Sequence, residues 1–225
     1  MRRCPGSRSP VAVASVAPLL ALLWLGAAAP SAAATVGFYC ITNKVAGDCA
    51  IGEAQMKLDV TDPGSGLIAF TFRNTGPAAS SITDVYWDAS LLLGFYSITN
   101  TPGYVEFVNP ATPGELPGAN NATPAFVTTA ELSANSRPPV QPLGVNPGES
   151  LTVSFTLFAG KTFADALRDL SDGNMRVGIH VQGYRTGGSE SFVSNPLTTV
   201  PVPEPGTLSL VGGGLLGLRL ARRRG

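Results

Sequence analysis

The sequence predicts an all-β fold: an antiparallel β-sandwich with one short helix, flanked by an N-terminal signal helix and a short C-terminal membrane helix. Three observations carry that prediction. Apolar and polar residues alternate with period two through the middle of the chain; 26 Gly and 19 Pro punctuate those runs; and only 13% of the 225 residues are charged. So little charge does not suit a solvated disordered chain, and so much Gly and Pro does not suit a helical bundle. The length fits one domain, with boundaries at 1–34 (signal peptide), 35–200 (sandwich) and 201–225 (tail).

The first segment has three parts. Arg2, Arg3 and Arg8 form a positive start, Val11 to Ala29 is apolar, and Ala32-Ala33-Ala34 supplies small residues for cleavage between Ala34 and Thr35. Arg2-Arg3 lacks the polar and aromatic context of a twin-arginine signal. A retained membrane helix is the alternative, but Pro18 interrupts the run and the alanines favour removal by a signal peptidase.

The strands come next. Met56, Leu58 and Val60 oppose Gln55, Lys57, Asp59 and Thr61; Ile68, Phe70 and Phe72 oppose Thr71 and Arg73. Leu151, Val153, Phe155 and Leu157 alternate with Thr152, Ser154 and Thr156, and Met175, Val177, Ile179 and Val181 with Arg176, Gly178, His180 and Gln182. Each run predicts a strand with one face in a core and one in water. Less regular strands are expected at Ile82–Trp87, Leu92–Ile98, Val105–Val108 and Phe126–Leu132. Turns fall at 62–66, 74–77 and 146–148, and Arg185-Thr-Gly-Gly-Ser189 reads as a hairpin leading into a strand through Phe192. Asn109–Asn121 reads as an exposed loop. The single expected helix starts at a Thr162/Asp165 capping pattern, aligns Phe163, Leu167 and Leu170 on one face, and stops at Asp172-Gly173.

The tail runs Val200-Pro-Val-Pro203-Glu204-Pro205-Gly206, then uncharged to Leu218, then closes on Arg219, Arg222, Arg223 and Arg224. At about 1.5 Å per residue, residues 206–218 reach about 20 Å against a hydrocarbon core of about 30 Å. Gly212, Gly213, Gly214 and Gly217 weaken the run further, and the arginines hold its end on the cytoplasmic side. Such a helix suits a transient hold better than a permanent anchor. Pro203-Glu204-Pro205, a glycine-rich apolar run and a closing arginine cluster resemble the PEP-CTERM sorting signal of Gram-negative bacteria. The resemblance implies recognition by an exosortase, a membrane cysteine transpeptidase, and delivery through the inner membrane toward the cell surface or an exopolysaccharide matrix. Arg219 interrupts the apolar run earlier than that pattern has it. The runs Cys40-Ile-Thr-Asn43 to Gly47-Asp48-Cys49 and Arg176-Val-Gly-Ile-His-Val-Gln182 to Gly188-Ser-Glu-Ser-Phe192 also resemble segments of uncharacterised proteins of this sorted class, which implies a shared fold and no known activity.

Charge is segregated. Residues 35–200 hold eight basic and fourteen acidic residues, a net −6, between two basic tips. An acidic domain carries no footprint for nucleic acid, whereas basic tips beside apolar runs suit a membrane surface. Residue chemistry names no catalytic, cofactor or metal set, and the domain is expected not to be an enzyme. His180, the chain's one histidine, falls on the polar side of a strand and is expected in solvent. Asp59, Asp62, Asp84 and Asp88 are expected as surface charges, with no short acidic loop to collect a calcium ion. Tyr86-Trp87 and Phe95-Tyr96 could stack on sugar rings, but aromatics in such strands are expected in the core. Asn121-Ala-Thr123 fits a glycosylation pattern only weakly. The expected role is therefore an exported envelope or matrix protein of structural or interaction type. A carbohydrate-binding module is the alternative, and a glycan hydrolase ranks last.

Cys4 leaves with the signal peptide, so Cys40 and Cys49 remain as an even pair in an exported domain and are expected to be bonded, with Asn43 and Gly47 allowing a tight turn between them. Closing so short a loop stabilises by roughly 2.5–3 kcal/mol. Reduction should lower the thermal midpoint of the exported protein, and thiol titration before reduction should find no free cysteine in it.

Overall fold

In the computed structural model, which describes residues 33–89 and 93–197, the alternating runs become strands of two packed antiparallel sheets. In chain order the elements are β1 (Ala33–Val36), β2 (Phe38–Cys40), α1 (Asp48–Gln55), β3 (Met56–Thr61), β4 (Leu67–Asn74), β5 (Ser81–Asp88) and β6 (Leu93–Thr99). There follow β7 (Phe107–Val108), β8 (Ser133–Ser136), β9 (Ser150–Leu157), α2 (Phe163–Asp172), β10 (Arg176–Gln182) and β11 (Glu190–Ser194). One sheet has the order β1-β3-β4-β9-β6 and the other β2-β11-β10-β5-β8-β7. The expected sandwich is therefore present.

Period two explains the core. Leu58, Val60, Phe70, Phe72, Val153 and Phe155 point inward from the first sheet and Ile82, Val85, Trp87, Val177, Ile179 and Val181 from the second, all fully buried. Phe70, Phe72 and Phe155 surround the Trp87 indole edge to face, with centroids 5.6, 5.6 and 4.7 Å away. α2 closes part of this core with Phe163, Ala166, Leu167 and Leu170, and its capping box forms as expected, Thr162 and Asp165 exchanging bonds. A buried polar network holds the β4–β5 turn. Gln55 Nε2 donates to Ala78 O and Ser80 Oγ, both at 3.0 Å, and Asn74 Nδ2 donates to Ser80 O at 2.9 Å.

Several expectations are corrected. Among the described residues there are two α-helices, not one: α1 begins at Asp48, where only a tight turn was expected, and takes Gln55, which was expected on the polar side of the next strand. No strand spans Phe126–Leu132, where Glu131 takes a positive φ of 66° and the backbone bonds to Trp87 through single contacts before β8 starts at Ser133. The strand expected at Val105–Val108 is only Phe107–Val108. Asn109–Asn121 is not simply an exposed loop. Ala111 and Leu116 from it, with Ala122 and Phe126 beyond it, pack as a second apolar cluster on Tyr86 and Val193, on the outer face of the second sheet. Gly178 lies under that cover because a Cβ there would meet Leu116 Cδ2 at 2.8 Å and Phe126 Cζ at 3.0 Å. The second sheet is thus covered on both faces.

The expected signal peptide lies mostly outside the described residues, as do Pro203, Glu204, Pro205, Arg219, Arg222, Arg223 and Arg224. Ala34 and Thr35 lie in β1, opposite Val60 and Asp59.

A close approach between α1 and β11 gives a test. A Cβ on Gly52 would sit 2.1 Å from Phe192 Cζ, and Phe192 is fully buried. Helix propensity alone favours Ala over Gly by about 1 kcal/mol, whereas overpacking costs roughly 1–3 kcal/mol. Gly52→Ala should therefore lower the denaturant midpoint; a raised midpoint would contradict this packing.

Candidate functional site

The densest set of reactive side chains lies on the outer face of the second sheet. Strand register alone aligns Asp84 of β5, His180 of β10 and Ser191 of β11 in one row. His180 was expected in solvent and Asp84 as a surface charge, yet each is only 8% exposed. Residues 42–45 pack beside this row at Ser191, Glu190 and His180, and the 109–127 segment covers the adjacent Tyr86–Gly178–Val193 row of the same face.

The row has the residue types of a nucleophilic triad without its geometry. His180 Nδ1 meets Ser191 Oγ at 3.0 Å, but no hydrogen bond links Asp84 to the imidazole; Asp84 instead accepts from the Thr83 hydroxyl at 2.7 Å. Ser191 has no exposed surface, so no substrate carbonyl reaches it. Its backbone N–H, a possible oxyanion donor, is taken by Thr42 Oγ1 at 2.9 Å. Burial pushes the imidazole pKa down to about 4, helped by the charge of Lys44 and opposed by Glu190. Burial also raises the Asp84 carboxyl to about 6, against the Thr83 hydrogen bond. At neutral pH the row is a neutral histidine beside a desolvated carboxylate.

Glu190 sits at one end of this region, fully buried, and is satisfied by the loop inside the disulfide. It accepts from Lys44 N at 2.6 Å, from Val45 N at 2.8 Å and from the Thr42 hydroxyl. Two amides and a hydroxyl compensate its charge, so it acts as a clamp. The sulfurs of Cys40 and Cys49 lie within 4.8 Å of its carboxylate, but they are bonded to one another, with Cα atoms 5.5 Å apart, and offer no thiolate to a metal. The expected disulfide is present. Asp48 is buried beneath the β10–β11 hairpin and accepts from Thr186 Oγ1 at 2.6 Å; burial, with the charges of Asp48 and Glu190 adding to it, raises the Tyr184 phenol above its ordinary range.

The remaining candidates scatter. Asp59 pairs with Arg73 at 2.6 Å and accepts from Thr35 Oγ1; Asp62 caps its own turn through Gly64 N at 2.8 Å; Asp88 pairs with Arg176. Tyr86 and Trp87 are buried as expected, whereas Phe95 and Tyr96 are 37% and 59% exposed, against the expectation of core. They lie on edge strand β6, at a bulge between Phe95 and Ser97 that interrupts the alternation. Asn121 is exposed in a short 3-10 turn. Ser191 and Glu190 escaped sequence reasoning: counting back from the expected turn at 185–189 sets Ser194 opposite His180, whereas the observed register pairs His180 with Ser191 and Val181 with Glu190.

A family model for the PEP-CTERM protein-sorting motif matches residues 201–224. The chain thus carries this motif at its C-terminus, over the residues that suggested it. Neither a curated protein nor a solved structure matches the chain.

The row also sets a pH test. His180 loses stability as pH falls from its ordinary 6.5 toward about 4, because the unfolded chain takes up the proton first. Asp84 does the reverse, gaining stability as pH falls from about 6 toward 3.8, because the folded chain takes up the proton first. Each effect is of order 2 kcal/mol between about pH 7.5 and about pH 4.5, and in the wild type they oppose. On acidification, His180→Asn should lose less stability than wild type and Asp84→Asn more, read as thermal midpoints at the two pH values. Parallel profiles for all three proteins would contradict the assignment.

Proposed function

Because the chain ends in a PEP-CTERM sorting motif, we propose that it is an exported protein of the envelope or extracellular matrix, of structural or interaction type and associated with exopolysaccharide. In this reading a signal peptidase cuts between Ala34 and Thr35. The short tail then holds the folded domain at the inner membrane until an exosortase acts near Pro203-Glu204-Pro205. Thr35 suits a first residue, since its hydroxyl donates to Asp59 Oδ1 at 2.7 Å and keeps the new end on the sheet. The match over residues 201–224 is the observation that carries the proposal.

The sealed Asp84–His180–Ser191 row supports a domain that does no chemistry, since its only serine–histidine contact is closed to substrate. A second reading, a carbohydrate-binding domain for the cell's own exopolysaccharide, is favoured by the exposure of Phe95 and Tyr96 on an edge strand. A glycan hydrolase stays last.

Pro205 biases Glu204 toward extended backbone, the form a membrane transpeptidase can grip. Replacing Pro203, Glu204 and Pro205 together by alanine should trap the chain in the membrane fraction, while wild type is released. Equal release of the two would remove the sorting step from the account.

A further inference from the structure

The connection from β6 to β7 holds a groove that none of the sequence motifs marked. Thr101, Tyr104 and Val105 form one wall and Gly148, Glu149 and Ser150 the other, around an open volume of about 360 Å³. The register Thr99↔Thr152 explains why these walls meet: β6 leaves the sheet where β9 enters it.

The first wall is rigid. Tyr104 N and Val105 N both donate to Thr101 O, at 3.0 and 2.9 Å, and Thr101 N donates back to Val105 O at 2.8 Å. Gly103 N donates to Glu106 Oε1 at 2.7 Å. Val105 is buried in the core, and the next residue back, Tyr104, is 63% exposed, the highest exposure among the described large hydrophobic side chains. The second wall is also fixed. Glu149 Oε2 accepts from Asn146 N at 2.9 Å and from Asn146 Nδ2 at 3.1 Å. Its other oxygen, Oε1, has no partner among the described residues.

We infer that this groove is a saccharide subsite, taking one ring of a neutral polysaccharide. The Tyr104 ring supplies a flat apolar platform for the C–H face of a pyranose, and its fixed loop means little ordering cost on binding. Glu149 Oε1 supplies an immobilised acceptor for ring hydroxyls, and Thr101 and Ser150 add adaptable hydroxyl partners. Charge selects the class. The groove's only ionised group is an acid, and residues 35–200 carry a net −6, so an acidic polysaccharide is repelled and a neutral one is not. Tyr96, 59% exposed, lies upstream on the same edge strand, about 16 Å along the chain from Thr101 at the usual rise per strand residue. A polymer running along β6 would meet a second aromatic there.

This inference rests on the carbohydrate-binding reading above and gives it a place; it does not depend on tail processing. The test is affinity electrophoresis of the purified exported protein in gels containing soluble β-glucan, α-glucan, mannan or galactan, with alginate as the acidic arm. Wild type should be retarded by at least one neutral polymer and not by alginate. Tyr104→Ala should weaken that retardation tenfold or more with an unchanged thermal midpoint. Tyr104→Phe should keep most of the affinity, and Glu149→Gln and Tyr96→Ala should each lose severalfold. No retardation of wild type by any neutral polymer, retardation by alginate alone, or Tyr104→Ala behaving as wild type would each overturn the inference. None of those results would touch the sorting step, which is read by fractionation.

Discussion

Trp87 joins the two layers. It is the one aromatic that the second sheet inserts among Phe70, Phe72 and Phe155 of the first, at centroid distances of 4.7 to 5.6 Å. Each edge-to-face pair adds about 0.5–1.5 kcal/mol beyond the area it buries, so the three together add about 1.5–4.5 kcal/mol, a large share of a net stability that is itself only about 5–15 kcal/mol. The same residue's backbone fastens the irregular crossing segment: Trp87 N donates to Leu132 O at 2.9 Å and Thr129 N to Trp87 O at 2.8 Å. Layer packing and the path of the 109–132 segment are therefore tied to one position. That path in turn decides what lies on the outer face of the second sheet.

Covering that face changes the meaning of its polar residues. On an open sheet, His180 and Asp84 would be ordinary solvent-facing groups. Buried next to the row that Leu116 and Phe126 cover, and beside the Glu190 clamp, they become desolvated neighbours with opposite pKa shifts. The serine in their row is buried with them. Open surface with shape and aromatic character appears instead at the β6 edge.

The strands of the core were legible because each residue pair in β3, β4, β9 and β10 repeats the same inside–outside choice, and the cap of α2 was legible because Thr162 and Asp165 satisfy it locally. What stayed hidden depended on distant contacts. α1 has Gly52 in its middle, a poor helix former by itself, and exists because that glycine lets it close on Phe192 of β11. The segment at Phe126 reads as a strand by composition, but Phe126 packs on the outside of the second sheet, Val127 is exposed and Leu132 joins the main core. Tyr104 and Glu149 lie 45 positions apart and meet only through the β6–β9 register, so no local pattern announces the groove. The sorting tail is the opposite case: its parts are contiguous, and order alone identifies them.

The proposed sorting route frees this sandwich at both ends from the segments that exported it. Its most direct test is the intact mass of wild-type protein recovered from outside the inner membrane. The full chain is 23.1 kDa. The account predicts one dominant species that lacks the leader and the terminal arginines and rises by two hydrogens on reduction. A recovered species that still carries Arg222, Arg223 and Arg224 would contradict it and leave the tail as a lasting anchor.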